Sequence, residues 1–581
     1  MSANLLSKVL EIDLSKYKYT IEDRRDLFEE WLGGVGVAVQ LLKENMDLDA
    51  DPLSDGNVIV FAVGPLTSAY PLASKTVALF KSPLTENLGE SHAGGRTAVS
   101  IANAGYGAIV IKGKSEKPIY IVVDNERVHF KDGRVVWGVE DSLIVGRIIA
   151  EREKGRGMRT VMRIGKGGEK LVKYSCVTTE TYRHFGRLGL GAVFGSKNLK
   201  ALVVIGRGSR NVVKCKEYRE IYSEIYKMAV ESDAMKKYHL IGTAVNIIPL
   251  NKISALPTRN LTSSKFEHAE AISGESFAEV IGRRIACSHC PTACIHIAIL
   301  RLPYEEEPYF YKTIMISYDY ELIYSLGSML GIPSKEDILK LIYKVESYTL
   351  DAMSTGVCLA WATEALNKGL ISTKETIVKL EFGDCKAYSK AIDYIVDQPN
   401  EFYKILAQGV EKASDVYGGK DFALAFGGNE MPGYHTGHAA HIGYLIGLRH
   451  SHLDNAGYSL DQKVKEEFKP EEVVEKLIKE EEWRQILSSL VVCFFARKIY
   501  TPEIVSKALK PLEIEMSSDD LKKLGKKIYI EKLRLKKKMG FDVSKIRIPK
   551  RIFEIETIHG HLKEDYIKKA LEYYSKIVNS V

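Results

Sequence analysis

The sequence predicts an α+β protein in which a β-rich N-terminal domain, residues 1–208, is followed by two mainly α-helical domains, 209–418 and 419–581. Three observations predict it. Through residue 208, short runs of β-branched and aromatic residues alternate with glycine turns. From about Lys216 the apolar residues recur at helical spacing and strand-like runs become few. The Gly-rich loop Gly418-Gly-Lys-Asp-Phe-Ala-Leu-Ala-Phe-Gly-Gly428 interrupts the helical part and marks its internal boundary.

In chain order, strands are predicted over residues 57–63, 76–80, 108–111, 119–123 and 201–205, each rich in Val, Ile and Phe. The run Gly186-Arg-Leu-Gly-Leu-Gly-Ala-Val-Phe-Gly195 contains G-x-G-x-x-x-G. A dinucleotide fingerprint needs a strand before these glycines and a helix after them. Here a polar segment precedes them, and the chain beyond leads towards the strand 201–205. The glycines therefore serve tight turns or the close approach of backbone N–H groups to a phosphate or pterin. Helices are predicted over 218–229, 336–346 and 471–478.

The chain of 581 residues, 45% apolar and 27% charged, has ordinary globular composition. No segment approaches the roughly 18 consecutive apolar residues of a membrane helix, and the N-terminal run lacks a secretory apolar region. A cytoplasmic location is expected. With 82 basic and 75 acidic residues the balance is mildly positive. Lysine runs such as 522–527 and 532–538 fit solvated helix faces, and no nucleic-acid-binding signature accompanies them. A basic surface of this kind also suits an acidic electron carrier. No G-x4-G-K-[ST] loop occurs, which leaves ATP chemistry without support.

Three of the eight cysteines lie at C-x2-C-x3-C spacing, Cys287-Ser-His-Cys290-Pro-Thr-Ala-Cys294, and a fourth, Cys493, follows in the apolar stretch 490–495. A tight three-thiolate loop with one distant thiolate suits a [4Fe–4S] cube, which takes one cysteine per corner. Zinc is the competitor, though its four-cysteine sites more often use two C-x2-C knuckles and no second one is present. A chance set of buried thiols is the remaining alternative. Cys176, Cys215, Cys358 and Cys385 are scattered, as in a reducing compartment.

An ordered series of segments resembles the aldehyde ferredoxin oxidoreductase family along nearly the whole chain. They are Trp31-Leu-Gly-Gly34, Gly64-Pro-Leu-Thr67, Lys81-Ser-Pro-Leu-Thr85, Ala104 to Gly113, Gly186 to Lys200, Gly242-Thr-Ala244, the cysteine loop and Leu535 to Arg551. The resemblance implies a β-rich base for the cofactor beneath two helical domains. It also implies one tungsten, or molybdenum, between two pterins beside a [4Fe–4S] cluster. Such enzymes oxidise an aldehyde to a carboxylic acid with water oxygen and pass electrons to ferredoxin or an iron–sulfur subunit. By this resemblance Cys287, Cys290, Cys294 and Cys493 match the cluster ligands. Glu321 matches the carboxylate proposed as general base or proton carrier. His452 matches the histidine proposed to bind the substrate carbonyl, with His450 as fallback beside Arg449.

Several positions depart from the family pattern. Lys75 stands where an arginine between cluster and pterin is usual, keeping the charge and losing the planar fork. His92 stands at an asparagine position before Gly94, while Arg187 and Gly189 keep the phosphate-facing loop. The pterin-clasping D-x-x-G-L-[DC] motifs read Glu346-Ser-Tyr-Thr-Leu350-Asp351 and Ser488-Ser-Leu-Val-Val-Cys493. Ser488 offers a hydroxyl where a carboxylate makes charge-assisted bonds. Some members carry an E-x-x-H site for iron between subunits; Lys340-Leu-Ile-Tyr343 stands there, so no bridging iron is expected. A homodimer formed without it is compatible with this. Two other readings stay open: an iron–sulfur electron-transfer subunit that has lost the pterin, and a zinc-stapled binding protein.

Overall fold

In the computed structural model of the chain, residues 6–180, 182–209, 215–304, 307, 309–463 and 468–581 are described. The opening residues 1–5, part of the run judged to lack a secretory region, lie outside them.

The N-terminal part is built on two six-stranded sheets. The first contains β1 (Lys8–Asp13), β2 (Lys18–Asp23), β3 (Ile59–Ala62), β4 (Thr76–Lys81), β5 (Leu88–Ala93) and β6 (Ala108–Lys112), in the order β2-β1-β6-β3-β4-β5. The second contains β7 (Ile119–Asp124), β8 (Arg127–Asp132), β9 (Met158–Arg163), β10 (Val177–Thr178), β11 (His184–Phe185) and β12 (Leu199–Gly206), in the order β11-β10-β9-β12-β7-β8. Among the described residues, only β1 with β6 and β7 with β12 pair in parallel.

Period-2 alternation divides the side chains of each strand between two cores. Ile59, Phe61, Ala78, Phe80, Ile109 and Ile111 face Ile121, Val123, Leu202 and Val204 of the second sheet. Their neighbours Val60, Ala62, Val77, Leu79 and Val110 turn the other way, onto the helix Gly34–Asn45 and onto Leu487, Leu490 and Val492. The outer face of the second sheet, with Val122, Val161 and Val203, is covered by Val145 and Ile149 of the helix Ser142–Arg152. Burial on both faces explains why these strands are nearly continuous apolar runs. Each fully buried Val, Ile or Phe contributes about 1.5–3 kcal/mol.

The rest of the chain is mainly helical, and the predicted helices lie within Lys216–Glu231, Lys335–Tyr348 and Pro470–Ser489. The helix Ala352–Asn367 is buried on nearly every side around Trp361, as expected of a helix apolar all round. One core cluster extends from Val172 to Val578 and includes Val410 and Ala413 as well as Phe422 and Ala423. The Gly-rich loop folds into a hairpin of β16 (Ala425–Phe426) and β17 (Asn429–Glu430), whose turn residues Gly427 and Gly428 both have positive φ, 56° and 85°. The three-part division of the chain is retained as a proposal.

Two local expectations are corrected. The helical part contains a three-stranded antiparallel sheet, β13 (Ile281–Ile285), β14 (Ile295–Pro303) and β15 (Tyr311–Tyr318). Strand β13, Ile-Gly-Arg-Arg-Ile, is largely exposed and has little apolar signal of its own; pairing with β14 makes it a strand. The Gly186 loop does not lead straight into a strand, because the helix Leu190–Ser196 intervenes. Its glycines allow close packing: a Cβ on Gly195 would lie 1.9 Å from the Gly168 carbonyl oxygen, and one on Gly189 would lie 2.1 Å from that of Lys173.

Candidate active site

A cavity of about 370 Å³ opens between the N-terminal sheets and the helical part. Of the residues singled out from sequence, Lys75, His92, Gly94, Arg187, Cys287, Cys290, Cys294, Glu321, Glu346, Leu350, Asp351, Arg449, His452 and Cys493 line it. Gly189 and Ser488 do not. Gly189 packs against Lys173, and Ser488 is buried at the end of the helix Pro470–Ser489, with its carbonyl against Gly34.

The cysteine loop is the connection between β13 and β14, so the sheet presents three thiols at one end. At the same end β15 closes on Tyr318, opposite His296, and Asp319 and Glu321 follow immediately. Leu72 joins the fourth cysteine to this loop: its N–H donates to the His289 carbonyl at 3.0 Å, and its carbonyl accepts from Cys493 N–H at 2.9 Å. Gly94 is required by proximity, since a Cβ there would lie 2.8 Å from Cys287 Sγ and 3.3 Å from Lys75 Nζ. Burial pushes the Cys290 thiol up to about 12 and the Cys294 thiol up to about 11. Arg183, which sequence reasoning missed, stands among these thiols. Burial opposes its charge, yet Cys294, Cys287, Asp319 and Cys493 hold it above its ordinary range.

Glu321 is set by the start of its helix, where Asp319 Oδ1 accepts from the Glu321 and Leu322 N–H groups. Its Oε2 accepts from Gly433 N–H at 3.1 Å, and its Oε1 lies 3.4 Å from His452 Nε2. Burial first, then Asp319, raises this carboxyl to about 8. His452 begins a short helix capped reciprocally by Ser451 and Asp454. Burial and the nearby Arg187, Arg449 and Arg484 keep its ring neutral, well below the usual histidine range. Tyr434 packs on that ring at 5.1 Å and stacks on Tyr458 at 4.3 Å. His450 points elsewhere: its Nδ1–H donates to the Tyr444 carbonyl and its Nε2 accepts from Lys536 Nζ at 2.7 Å.

Opposite this pair, Arg187 Nε donates to Asp351 Oδ2 at 3.0 Å and Nη2 to the Glu430 carbonyl at 2.8 Å. Glu346 is paired with His184 at 2.7 Å. The segment holding Glu346 to Asp351 is tied to the N-terminal part by the Ser175–Leu350 bridge and the bond from Asp351 N–H to the Tyr174 carbonyl. On the β5 side, Glu90 gathers charge: His92 Nε2 lies 2.6 Å from Oε1, Lys532 Nζ 2.5 Å from Oε2 and Arg449 Nη1 3.8 Å from Oε1. Glu90 was missed in the sequence, where no strand is predicted over Leu88–Ala93; on that strand it stands two positions before His92, on the same face.

Six cavity-lining residues carry buried polar atoms without a hydrogen-bond partner: Arg183 Nε, Arg187 Nη1, Asn429 Oδ1, Glu321 Oε1, His452 Nδ1 and Glu90 Oε2, the last facing Lys532. Buried polar groups are ordinarily satisfied, so this concentration fits a polar ligand in the cavity. Among the described residues, no three His, Cys, Asp or Glu side chains converge as for a single metal ion. At the E-x-x-H position, Lys340 pairs with Asp337 and the Tyr343 hydroxyl donates to Asp141.

Partly buried thiols, a carboxyl–histidine pair and two guanidinium groups, each with an unpartnered N–H, surround one cavity and make a site of cofactor-binding type. Models of the aldehyde ferredoxin oxidoreductase family match the chain: the N-terminal domain over residues 9–206, and domains 2 and 3 over residues 220–578. The chain belongs to this family and is an oxidoreductase. It is 29% identical to the tungsten-containing aldehyde ferredoxin oxidoreductase of Thermococcus kodakarensis, over 98% of this chain and 95% of that one. It is 30% identical to the aliphatic sulfonate oxidoreductase, WOR-like subunit, of Pyrococcus furiosus, over 70% of this chain and 66% of that one. Its fold matches the active-site complex BamBC of benzoyl coenzyme A reductase in complex with 1,5-dienoyl-CoA, with a TM-score of 0.82 and 21% identity, over 100% of this chain and 95% of that one.

Proposed function

We propose that this chain oxidises an aldehyde to a carboxylic acid, using a tungsten (or molybdenum) bis-pterin and a [4Fe–4S] cluster, with electrons leaving to ferredoxin. The observation that carries this reading is the single cavity lined by four thiols at one side and the Glu321–His452 pair at another. The tungsten-containing relative supports the metal. Cys287, Cys290, Cys294 and Cys493 would hold the cluster, one cysteine per corner of the cube. Arg183, Arg187 and Asn429 would meet the pterins through their unpartnered atoms, with Lys75 beside Cys287 between the two groups. When bound, the metal–pterin group takes two electrons and the cluster passes them on singly.

The reaction joins an aldehyde and water to give a carboxylic acid, two protons and two electrons. The chain must therefore position the carbonyl, orient the water and carry protons. With its pKa raised to about 8 by burial, Glu321 is mainly protonated at pH 7 and exchanges that proton close to neutrality. Neutral His452 presents a ring nitrogen to an oxygen in the cavity without adding a second charge. Tyr434 and Tyr458 limit water around the pair. A cytoplasmic location without a subunit-bridging iron is part of this reading, and a homodimer is compatible with it. No helix among the described residues is long and apolar enough to cross a membrane.

Metal and pterin analysis of anaerobically purified protein, followed by aldehyde-dependent reduction of benzyl viologen, tests the proposal. Roughly one tungsten or molybdenum, two pterins and four irons per chain are expected, with turnover of at least one aldehyde. The screen includes an aliphatic sulfonate because one relative bears that name. Iron without pterin would replace the proposal with an electron-transfer subunit, and zinc in place of iron with a zinc-stapled protein.

A further inference from the structure

We infer that the exposed face formed by the helix Asp233–Leu240, the cysteine loop and residues 497–498 docks a small acidic iron–sulfur electron carrier. This rests on the reading of the four cysteines as cluster ligands and extends it to the route by which electrons leave.

The loop that offers three thiols is itself surface, with Ala286 and His289 exposed. The helix Asp233–Leu240 is fastened to it. His239 Nδ1 pairs with the Thr292 carbonyl at 2.8 Å, while Arg284 Nε and Nη2 donate to the His239 and Leu240 carbonyls at 3.1 and 3.2 Å. Arg284 thereby satisfies carbonyls that a helix end otherwise leaves unpaired. Tyr238 of the same helix stacks on Phe495 at 4.3 Å, two residues beyond Cys493. One short helix thus touches both stretches of chain that supply the thiols.

Its outward stripe, at i, i+3, i+4 and i+7, is Asp233, Lys236, Lys237 and Leu240, all exposed. Leu240 is 57% exposed, a large apolar side chain beside cations. Arg497 and exposed Lys498 lie two and three residues after Phe495 in the chain. None of Lys236, Lys237, Arg497 and Lys498 forms an ion pair with a described carboxylate. Asp233, at the far end of the stripe, and Glu231 before it are the acidic groups of the segment. Unneutralised cations around an apolar tip, over a redox site, match a small interface steered by charge to an acidic partner.

The test uses the holoenzyme and an immobilised acidic [4Fe–4S] ferredoxin, with binding measured from low to high NaCl. The triple variant Lys236→Glu, Lys237→Glu, Lys498→Glu should bind at least about tenfold more weakly at low salt, with a flatter salt dependence. Its KM for the carrier should rise while benzyl viologen reduction is unchanged. The control Lys523→Glu, Lys526→Glu, on the exposed side of the helix Ser518–Lys538, should bind as the parent does. Unchanged binding by the triple variant, or equal loss in the control, overturns the inference. Absence of aldehyde turnover in the parent would instead defeat the proposed function, and the binding comparison would still decide the docking face.

Discussion

Glu321→Gln isolates the effect of burying one carboxyl. The structure raises this group from 4.5 to about 8. At ~1.4 kcal/mol per unit, the shift corresponds to about 5 kcal/mol of resistance to ionisation. The sign follows from linkage. Between these two values the folded protein keeps a proton that the unfolded chain has released, so the contribution of Glu321 is fully present below the unfolded value and is lost as pH rises towards 8. Glutamine keeps the shape and cannot ionise. Thermal or urea unfolding of both proteins from pH 5 to pH 9 should therefore show the variant gaining on the parent by several kcal/mol, with the difference levelling off above about pH 8. Loss of the proton carrier should also lower kcat/KM by about 10²–10⁴-fold and remove a rate limb near pH 8. Parallel stability curves for the two proteins would refute the reasoning, because the buried carboxyl would then ionise as freely as an exposed one.

Cys493→Ser should lower the iron content and abolish the reducible cluster signal in electron paramagnetic resonance, whereas Cys385→Ser, far from the loop in sequence, should leave both intact. Gly94→Ala drives a methyl group against Cys287 Sγ and Lys75 Nζ; overpacking of this kind costs about 1–3 kcal/mol, and it should appear as loss of iron on gel filtration. Gly105→Ala meets no atom within 4 Å and should retain iron, with only the strain of its φ of +94°. His452→Gln should lower kcat with little change in melting temperature. His450→Leu should do the reverse, because it leaves the buried Lys536 amino group short of a hydrogen-bond partner, at about 1–3 kcal/mol.

Much of the site was legible because its chemistry is local in sequence. The C-x2-C-x3-C spacing shows itself without a fold, and one distant cysteine in an apolar stretch completes the set. The five predicted strands were legible because sheets buried on both faces need continuous β-branched and aromatic runs. By contrast, Arg183 lay in a segment that looked merely polar, and β13 carries two arginines in five residues. Such elements acquire their identity from neighbours distant in the chain. Ser488 shows the converse: a motif match placed it among cofactor contacts, while the helix that carries it turns its end into the N-terminal core beside Leu487 and Leu490.

The sequence by itself determined the β-rich base, the helical remainder and the candidate thiols, since propensity, periodicity and spacing act over a few residues, while the family showed in the resemblance of an ordered series of segments. Only the tertiary structure decided how these meet. It brought Leu72 between His289 and Cys493, chose His452 over His450 as the partner of Glu321, and left six buried polar atoms without a hydrogen bond around one cavity. The physical reason is that burial, and the pKa shifts and unsatisfied hydrogen bonds it creates, depend on which distant segments exclude water from each group.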